Sequence, residues 1–277
     1  MKTLILSGFG TNCERETALA CRLAGGAEVE VRHITEIYRA DPQGRLTLDA
    51  YHFLVLAGGF LDGDDLGSAR ACANRFRYLS VPGGGTFLDQ LVGFIRSGRL
   101  VLGICNGFQL LVKLGLLPGL AEGQGRQQAT LAPNANGRFE DRWVRLAPDS
   151  ASSCVFTRGI EGIELPVRHG EGRLIGEDDG LVAGLMERGL VPLRYALEDG
   201  TPTEAYPHNP NGSPHGAASL CNATGTVMGL MPHPEAYHRR TNHPRWTRMD
   251  NTGDDGDGLR IFRNAYEHLA NADFTAA

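Results

Sequence analysis

Between Arg99 and Leu111 the chain reads RLVLGICNGFQLL. An apolar run ends in Gly103-Ile104-Cys105-Asn106-Gly107, and a helical pattern begins at once. Few backbone arrangements satisfy this. A strand that turns into a helix within a few residues presses backbone against backbone, so the flanking positions must lack side chains. The residue at the apex, Cys105, is lifted above the strand end. It also stands at a helix N-terminus, where the dipole favours thiolate. The Asn106 N–H is then free to donate to an oxyanion. A cysteine beside a strand–helix turn is more commonly a small buried apolar residue. Glycines on both sides, as G-x-C-x-G, are what set Cys105 apart from that reading.

The surrounding pattern agrees with a sheet of such turns. Thr3–Ser7, Glu28–His33, Phe53–Ala57 and Leu100–Gly103 read as strands. Glu14–Ala24, Ala69–Tyr78, Phe87–Ser97 and Gly107–Leu114 read as helices, several stopped by glycine. Strand–helix alternation predicts a parallel sheet with helices on both faces. The second half changes character. Trp143–Leu146, Ile163–Val167 and Leu190–Tyr195 read as strands joined by Gly/Pro/Asn-rich loops, which predicts antiparallel additions to the sheet. Val227–Met231 is a further apolar strand. Leu259–Asn271 is an amphipathic helix with Asp257 as its expected N-cap. At roughly 100–200 residues per domain, 277 residues admit one large domain or two small ones. No linker, repeat or low-complexity stretch divides the chain, so residues 1–277 are read as one domain.

A thiol nucleophile needs a base, and the base needs an orienting group. Met231-Pro232-His233-Pro234-Glu235 directly follows the strand Val227–Met231. Pro234 pushes His233 into the extended region, and residues two apart in an extended chain face the same side. Glu235 can therefore hold one ring nitrogen of His233 while the other faces the thiol. An isolated H-P-E is otherwise an ordinary surface turn. A second oxyanion donor is expected from Ala57-Gly58-Gly59-Phe60, at the C-terminal end of the third strand, where open α/β sheets bind ligands. Gly59 is the candidate, since glycine lets a backbone N–H approach closely.

Composition excludes several other chemistries. The net charge is −5 with only two lysines, Lys2 and Lys113, which is no footprint for nucleic acid or an anionic membrane. Neither lysine sits in a G-x-x-x-x-G-K-[ST] loop, so no ATP site is expected on this chain. No apolar run approaches the roughly 20 residues that span a bilayer. The six cysteines include no C-x-x-C pair, and no apolar leader precedes Thr3, so a cytoplasmic chain with reduced thiols is expected. His233, His238 and His243 are spaced by five, which splays them on a helix, and no metal site is expected. Asp250, Asp254, Asp255 and Asp257 lack the glycine and closing glutamate of a calcium loop and read as a solvated turn. Gly83-Gly84-Gly85 lacks the dinucleotide pattern and reads as a flexible loop.

Cys105 in G-x-C-x-G-x-Q together with His233-x-Glu235 resembles the class I (triad) glutamine amidotransferases. Further segments narrow the likeness: Gly58-Gly59-Phe60 followed by Gly63-Asp64, Gly137–Trp143 (GRFEDRW), His169–Arg173 (HGEGR), Asn209–Pro214 (NPNGSP), Met231–Glu235 (MPHPE) and Leu259–Asn264 (LRIFRN). Over nearly the whole chain these are similar to the glutaminase part of phosphoribosylformylglycinamidine synthases. GRFEDRW and the long C-terminal segment look more like the C-terminal domain of the large single-chain form than the short separate subunit.

The resemblance implies a doubly wound, mostly parallel α/β sheet of the flavodoxin-like kind, with antiparallel additions. It implies hydrolysis of L-glutamine to glutamate and ammonia in de novo purine synthesis. A synthetase subunit holding ATP and magnesium, and a small bridging subunit, are the implied partners; this chain would carry no cofactor. The implied roles are Cys105 as nucleophile, His233 as base, Glu235 as orienter, and the Gly59 and Asn106 N–H groups as oxyanion donors. Gln109, Phe60 and His169 are the expected substrate contacts, with the HGEG loop either at the site, at a partner interface, or a structural turn. Four positions depart from the family pattern: Ala57, Leu61-Asp62, Arg168 and Ala236, where proline, Ser-Tyr, a small residue and arginine are usual. None removes a triad member. Two other functions fit the same residues: a glutaminase serving another synthetase, and a non-catalytic binding module on this fold.

Overall fold

A computed structural model describes residues 1–120, 125–249 and 253–272. Asp250 of the acidic turn lies outside them. The central sheet has six strands: β1 (Lys2–Ser7), β2 (Glu28–His33), β3 (Phe53–Leu56), β4 (Leu100–Ile104), β10 (Ser219–Cys221) and β11 (Val227–Leu230). Their order is β10-β11-β4-β3-β1-β2. All neighbours run parallel except β10, which pairs antiparallel with β11. Strands β3, β4 and β11 are buried along their whole length. That is the condition of a parallel strand covered on both faces, and it explains apolar runs such as FLVL and LVLGI that do not alternate. The edge strand β2 is partly exposed, which matches its charged sequence EVEVRH.

The parallel strands follow the order of the flavodoxin-like sheet, with the switch point between β1 and β3, where the chain passes to opposite sides. The loops after β1, β3, β4 and β11 therefore meet above the strand ends.

Helix α1 (Glu14–Leu23) packs with α6 (Leu259–Asn271), and α2 (Arg70–Tyr78) packs with α3 (Phe87–Arg96) and α4 (Asn106–Lys113). Thr86 caps α3, its hydroxyl accepting from Asp89 N–H while Asp89 accepts from the Thr86 N–H. That reciprocal pair fixes where α3 begins. The last helix begins where the sequence predicts, but Asp257 does not cap it: Gly258 holds that position and no side chain bonds the first turn. Asp257 instead lies exposed just before the helix, where partial desolvation by its surroundings raises its pKa.

The antiparallel part also differs from expectation. Only β10 joins the main sheet. Strand β6 (Glu140–Pro148) lies between β7 (Ile163–His169) and β9 (Leu193–Ala196) in a separate sheet, and β5 (Ala129–Ala132) pairs with β8 (Arg173–Gly176) in another. A short helix, α5 (Leu181–Glu187), follows β8. These strands pair across long loops, so their pairing partners are not encoded by local pattern. Their consequence for the site is that the end of β7 is laid across the top of β4 and β11.

Candidate functional site

The turn from β4 to α4 places Cys105 at φ 50°, ψ −104°. A positive φ in a non-glycine residue is strained and is retained only where surrounding structure imposes it. The flanking glycines show why. A Cβ on Gly103 would sit 2.6 Å from Leu111 Cδ1 and 2.7 Å from the Gly107 carbonyl oxygen, and one on Gly107 would run into the Leu56 carbonyl. Helix α4 thus crosses β3 and β4 with no room for side chains. The Cys105 N–H donates to the Leu230 carbonyl at 2.8 Å, and its thiol points toward the Arg168 carbonyl at 3.7 Å. Only 6% of Cys105 is exposed.

His233 follows β11 at φ −109°, ψ 89°, and Pro234–Tyr237 form a 3-10 turn instead of the extended segment expected from the sequence; the His233 N–H donates to Pro166 of β7 at 2.8 Å. Its Nδ1 lies 2.6 Å from Glu235 Oε1. Both side chains are buried. The other ring nitrogen, Nε2, is buried with no hydrogen-bond partner among the described residues. Burial opposes the imidazolium, but the Glu235 carboxylate and then the Cys105 sulfur outweigh it, and the His233 pKa stands well above its ordinary value. The side chains meet around Gly58, where an added Cβ would lie 2.9 Å from His233 Cε1 and 3.5 Å from Cys105 Cβ. The three residues read from sequence as nucleophile, base and orienter are therefore brought together.

Gly59 adopts φ 149° and pairs with Thr11 across the β1 and β3 loops. That bridge is made by Phe60 N–H to Gly10 and Asn12 N–H to Gly58, so the Gly59 N–H takes no part in it. A Cβ at Gly59 would lie 2.6 Å from the Gly10 carbonyl oxygen. Asn106, which begins α4, anchors this loop through its side chain. Its Oδ1 accepts from Leu61 N–H at 2.9 Å, and its Nδ2 donates to Asp64 at 3.1 Å and to Gln109 Oε1 at 2.9 Å. Gln109 in turn donates from Nε2 to the Glu171 carbonyl at 2.5 Å. It is buried and ties α4 to the HGEG loop. Phe60 is half-exposed at the rim.

His169, at the end of β7, is drawn into the site. Burial, and then the charge of His233, push its pKa down to about 3, so it is neutral at ordinary pH. Its Nδ1 lies 3.1 Å from Asn134 Oδ1, and its Nε2 is buried without a partner among the described residues. The NPNGSP segment supports this corner. Asn211 Nδ2 donates to the Tyr195 hydroxyl at 3.0 Å, and the Ser213 hydroxyl accepts from Leu174 N–H at 3.0 Å. Neither Asn134 nor Tyr195 stands out in the sequence.

Cys13 was also not foreseen. It lies at the start of α1, and its sulfur is 4.0 Å from His233 Nδ1 and 3.1 Å from Asn12 Oδ1. Burial raises its pKa. The only available signal was topological: the loop after β1 opens at the switch point beside the β3 loop. Cys13, His233 and Glu235 offer sulfur, nitrogen and oxygen ligand atoms within 4.8 Å of one another. The 2.6 Å separation of Nδ1 and Oε1 is that of a hydrogen bond. The other histidines of the spaced trio are engaged elsewhere: His238 Nδ1 with the Glu235 carbonyl at 2.9 Å, and His243 Nε2 with Glu164 at 2.9 Å.

The departures from the family pattern are accommodated locally. Leu61 is buried beneath the β1 loop, and Asp62 pairs with Arg75 at 3.0 Å. Arg168 reaches Glu16 at 3.4 Å. Ala57 is buried, and Ala236 follows the His233 turn.

Comparison with known proteins gives the family. The CobB/CobQ-like glutamine amidotransferase domain matches residues 1–269. A phosphoribosylformylglycinamidine synthase subunit PurQ from Dehalococcoides mccartyi is 42% identical over 96% of each chain. The subunit of the same name from Methanococcus maripaludis is 37% identical over 97% of each. Among solved structures, PurLQS from Thermotoga maritima superposes with a TM-score of 0.70 at 26% identity, covering 97% of this chain and 98% of the other. A glutamine amidotransferase from Thermotoga maritima, at 14% identity and a TM-score of 0.52, shares the fold. Among the described residues no helix is long and apolar enough to cross a membrane. With a strained thiol elbow, a buried His–Glu pair and full-length similarity to these subunits, the chain belongs to the PurQ family of glutamine amidotransferases.

Proposed function

We propose that this chain hydrolyses L-glutamine through Cys105, His233 and Glu235 and passes the ammonia to a separate synthetase subunit. The observation that carries the proposal is the pairing of a strained, buried thiol at a helix N-terminus with an imidazole held at 2.6 Å by a buried carboxylate.

The raised His233 pKa makes its ring a strong base, which takes the proton of the Cys105 thiol. The sulfur attacks the side-chain amide carbon of glutamine, and the carbonyl oxygen takes the developing charge. The N–H groups of Gly59 and Asn106 donate to it. The C–N bond then breaks, the nitrogen takes the proton from His233, and ammonia leaves a glutamyl thioester. Neutral His233 accepts a proton from water, the hydroxide adds to the thioester, and the C–S bond breaks to release glutamate and restore the thiolate. Glu235 holds the ring in one orientation and stabilises its charge in both steps. His169 and Phe60 contribute to the wall and rim against which glutamine is held; Gln109 acts by fixing the HGEG loop to α4.

The named relatives are subunits of phosphoribosylformylglycinamidine synthase. By extension, the acceptor reaction is the ATP-dependent conversion of formylglycinamide ribonucleotide to the amidine, in the cytoplasm. ATP and magnesium are held by the synthetase, and a small bridging subunit completes the complex.

Glutamate release is the direct test, for wild type and Cys105→Ser, with and without the synthetase, ATP and ribonucleotide. Release that rises with the synthetase and vanishes in the variant is expected. Equal release with and without it would detach this chain from that partner, and no release under any condition would remove the catalytic reading.

A further inference from the structure

Away from the thiol site, α2 and the C-terminal end of α4 border an open cavity of about 550 Å³. Arg70, Arg77, Lys113 and Arg126 line it, together with Gln127 and Thr130, and among the described residues no carboxylate does. In a chain with net charge −5, this is a local concentration of positive charge.

The four cations are not equally committed. Arg77 spends its guanidinium on the carbonyls of Gly125, Lys113 and Leu114, at 2.7, 3.3 and 3.0 Å, and so closes the end of α4. Arg126 pairs with Glu177 at 2.9 Å. Lys113 has only the neutral Thr130 hydroxyl, at 3.3 Å. Arg70 donates its backbone N–H to Gly67 at 3.0 Å, and its guanidinium has no hydrogen bond or ion pair among the described residues.

The acidic groups nearest Lys113 are engaged by other donors. Glu171 accepts from Ser68 N–H at 3.2 Å, and Asp64 accepts from Ala69 N–H at 2.8 Å and from Asn106. Burial pushes the Lys113 ammonium pKa down; the Glu171 charge opposes this, and the Arg70 charge adds to it. Two cations that repel each other across a cavity are each stabilised by an anion placed between them. A hydroxyl and an amide complete a set of donors suited to several oxygens on one charged centre.

We infer that this cavity is a binding site for a phosphate group carried by a small soluble anion. A volume of about 550 Å³ has room for a nucleotide as well as for phosphate alone.

Titration calorimetry of the full chain tests this, with inorganic phosphate and with a nucleoside mono-, di- and triphosphate as separate probes. Wild type is compared with Lys113→Met and Arg70→Met, the second being an exposed position that folding tolerates. Saturable binding that each substitution weakens about tenfold or more, and that falls as salt rises, is the expected result. Tighter binding of nucleotide than of phosphate identifies the carrier as a nucleotide; equal affinity identifies free phosphate. Absence of saturable binding by any probe, or binding that both variants leave unchanged, overturns the inference. The same titrations on Cys105→Ser keep this site separate from the glutamine site, because its occupancy does not depend on the thiol.

Discussion

His233 Nδ1 and Glu235 Oε1 stand 2.6 Å apart with both side chains almost wholly shielded from solvent. Removing the carboxylate charge while keeping its shape isolates what the pair does. Glu235→Gln is expected to lower kcat for glutamine hydrolysis by about 100-fold or more, with little change in KM. Stability should respond in a defined direction. The folded His233 pKa is raised, so its contribution is full below the unfolded histidine value and is lost as pH rises through the folded one. Denaturant midpoints measured upward from about pH 6.5 should fall in wild type, and Glu235→Gln should flatten that fall.

His169 works in the opposite sense. Its folded pKa of about 3 means the unfolded chain binds one more proton between about pH 6.5 and 3. Stability should therefore drop as pH falls through that window. His169→Gln should reduce the slope by up to about 1.4 kcal/mol per pH unit, read from unfolding free energies at several pH values. An unchanged slope would mean that His169 does not titrate as a buried neutral ring.

Gly58 and Gly107 make a contrasting pair. A Cβ on Gly58 would press on His233 Cε1 at 2.9 Å and lie against Cys13 Sγ at 3.4 Å. Gly58→Ala should leave the fold intact but displace the imidazole, costing about 100-fold in kcat. Gly107→Ala drives a methyl into the Leu56 carbonyl, so its main effect should be on folding, by about 1–3 kcal/mol or more. Thermal unfolding and glutaminase assays on both proteins separate the two outcomes.

Asn106 carries a structural load apart from its backbone N–H. Asn106→Ala removes the acceptor for Leu61 N–H and donors to Asp64 and Gln109. Leaving buried groups unpaired should destabilise the protein by about 1–3 kcal/mol. The Asp64 carboxyl, already raised by burial against the bonds from Ala69 and Asn106, should titrate still higher. Equilibrium unfolding and carboxylate titration by NMR check the two effects.

The features legible in sequence were those written in local spacing. G-x-C-x-G encodes a close helix–strand approach that glycine alone permits, and H-P-E marks the right pair, although Pro234 and Glu235 enter a short 3-10 turn and bring the carboxylate to His233 that way rather than along an extended segment. Unbroken apolar runs such as LVLGI announce parallel strands, and the final helix, Leu259–Asn271, was bounded by its amphipathic pattern. What was hidden depends on distant pairing. Nothing near Cys13 indicates that its sulfur approaches His233, 220 positions later; that contact follows from β1 and β3 flanking the switch point. Asn134 and Tyr195 reach the site through β5, β7 and β9, whose partners lie far away in sequence and whose local pattern carries no register. Asp257 illustrates the reverse error, a good capping residue one position too early, with Gly258 taking the cap.

Two thiols, Cys105 and Cys13, lie beside one imidazole, and the account assigns the nucleophilic role to the first. Peptide mass mapping after reaction with a glutamine analogue bearing an electrophilic diazoketone decides between them. The account predicts a single adduct on Cys105, formed in Cys13→Ser as in wild type and absent in Cys105→Ser. An adduct on Cys13, or glutamate release persisting in Cys105→Ser, would contradict it.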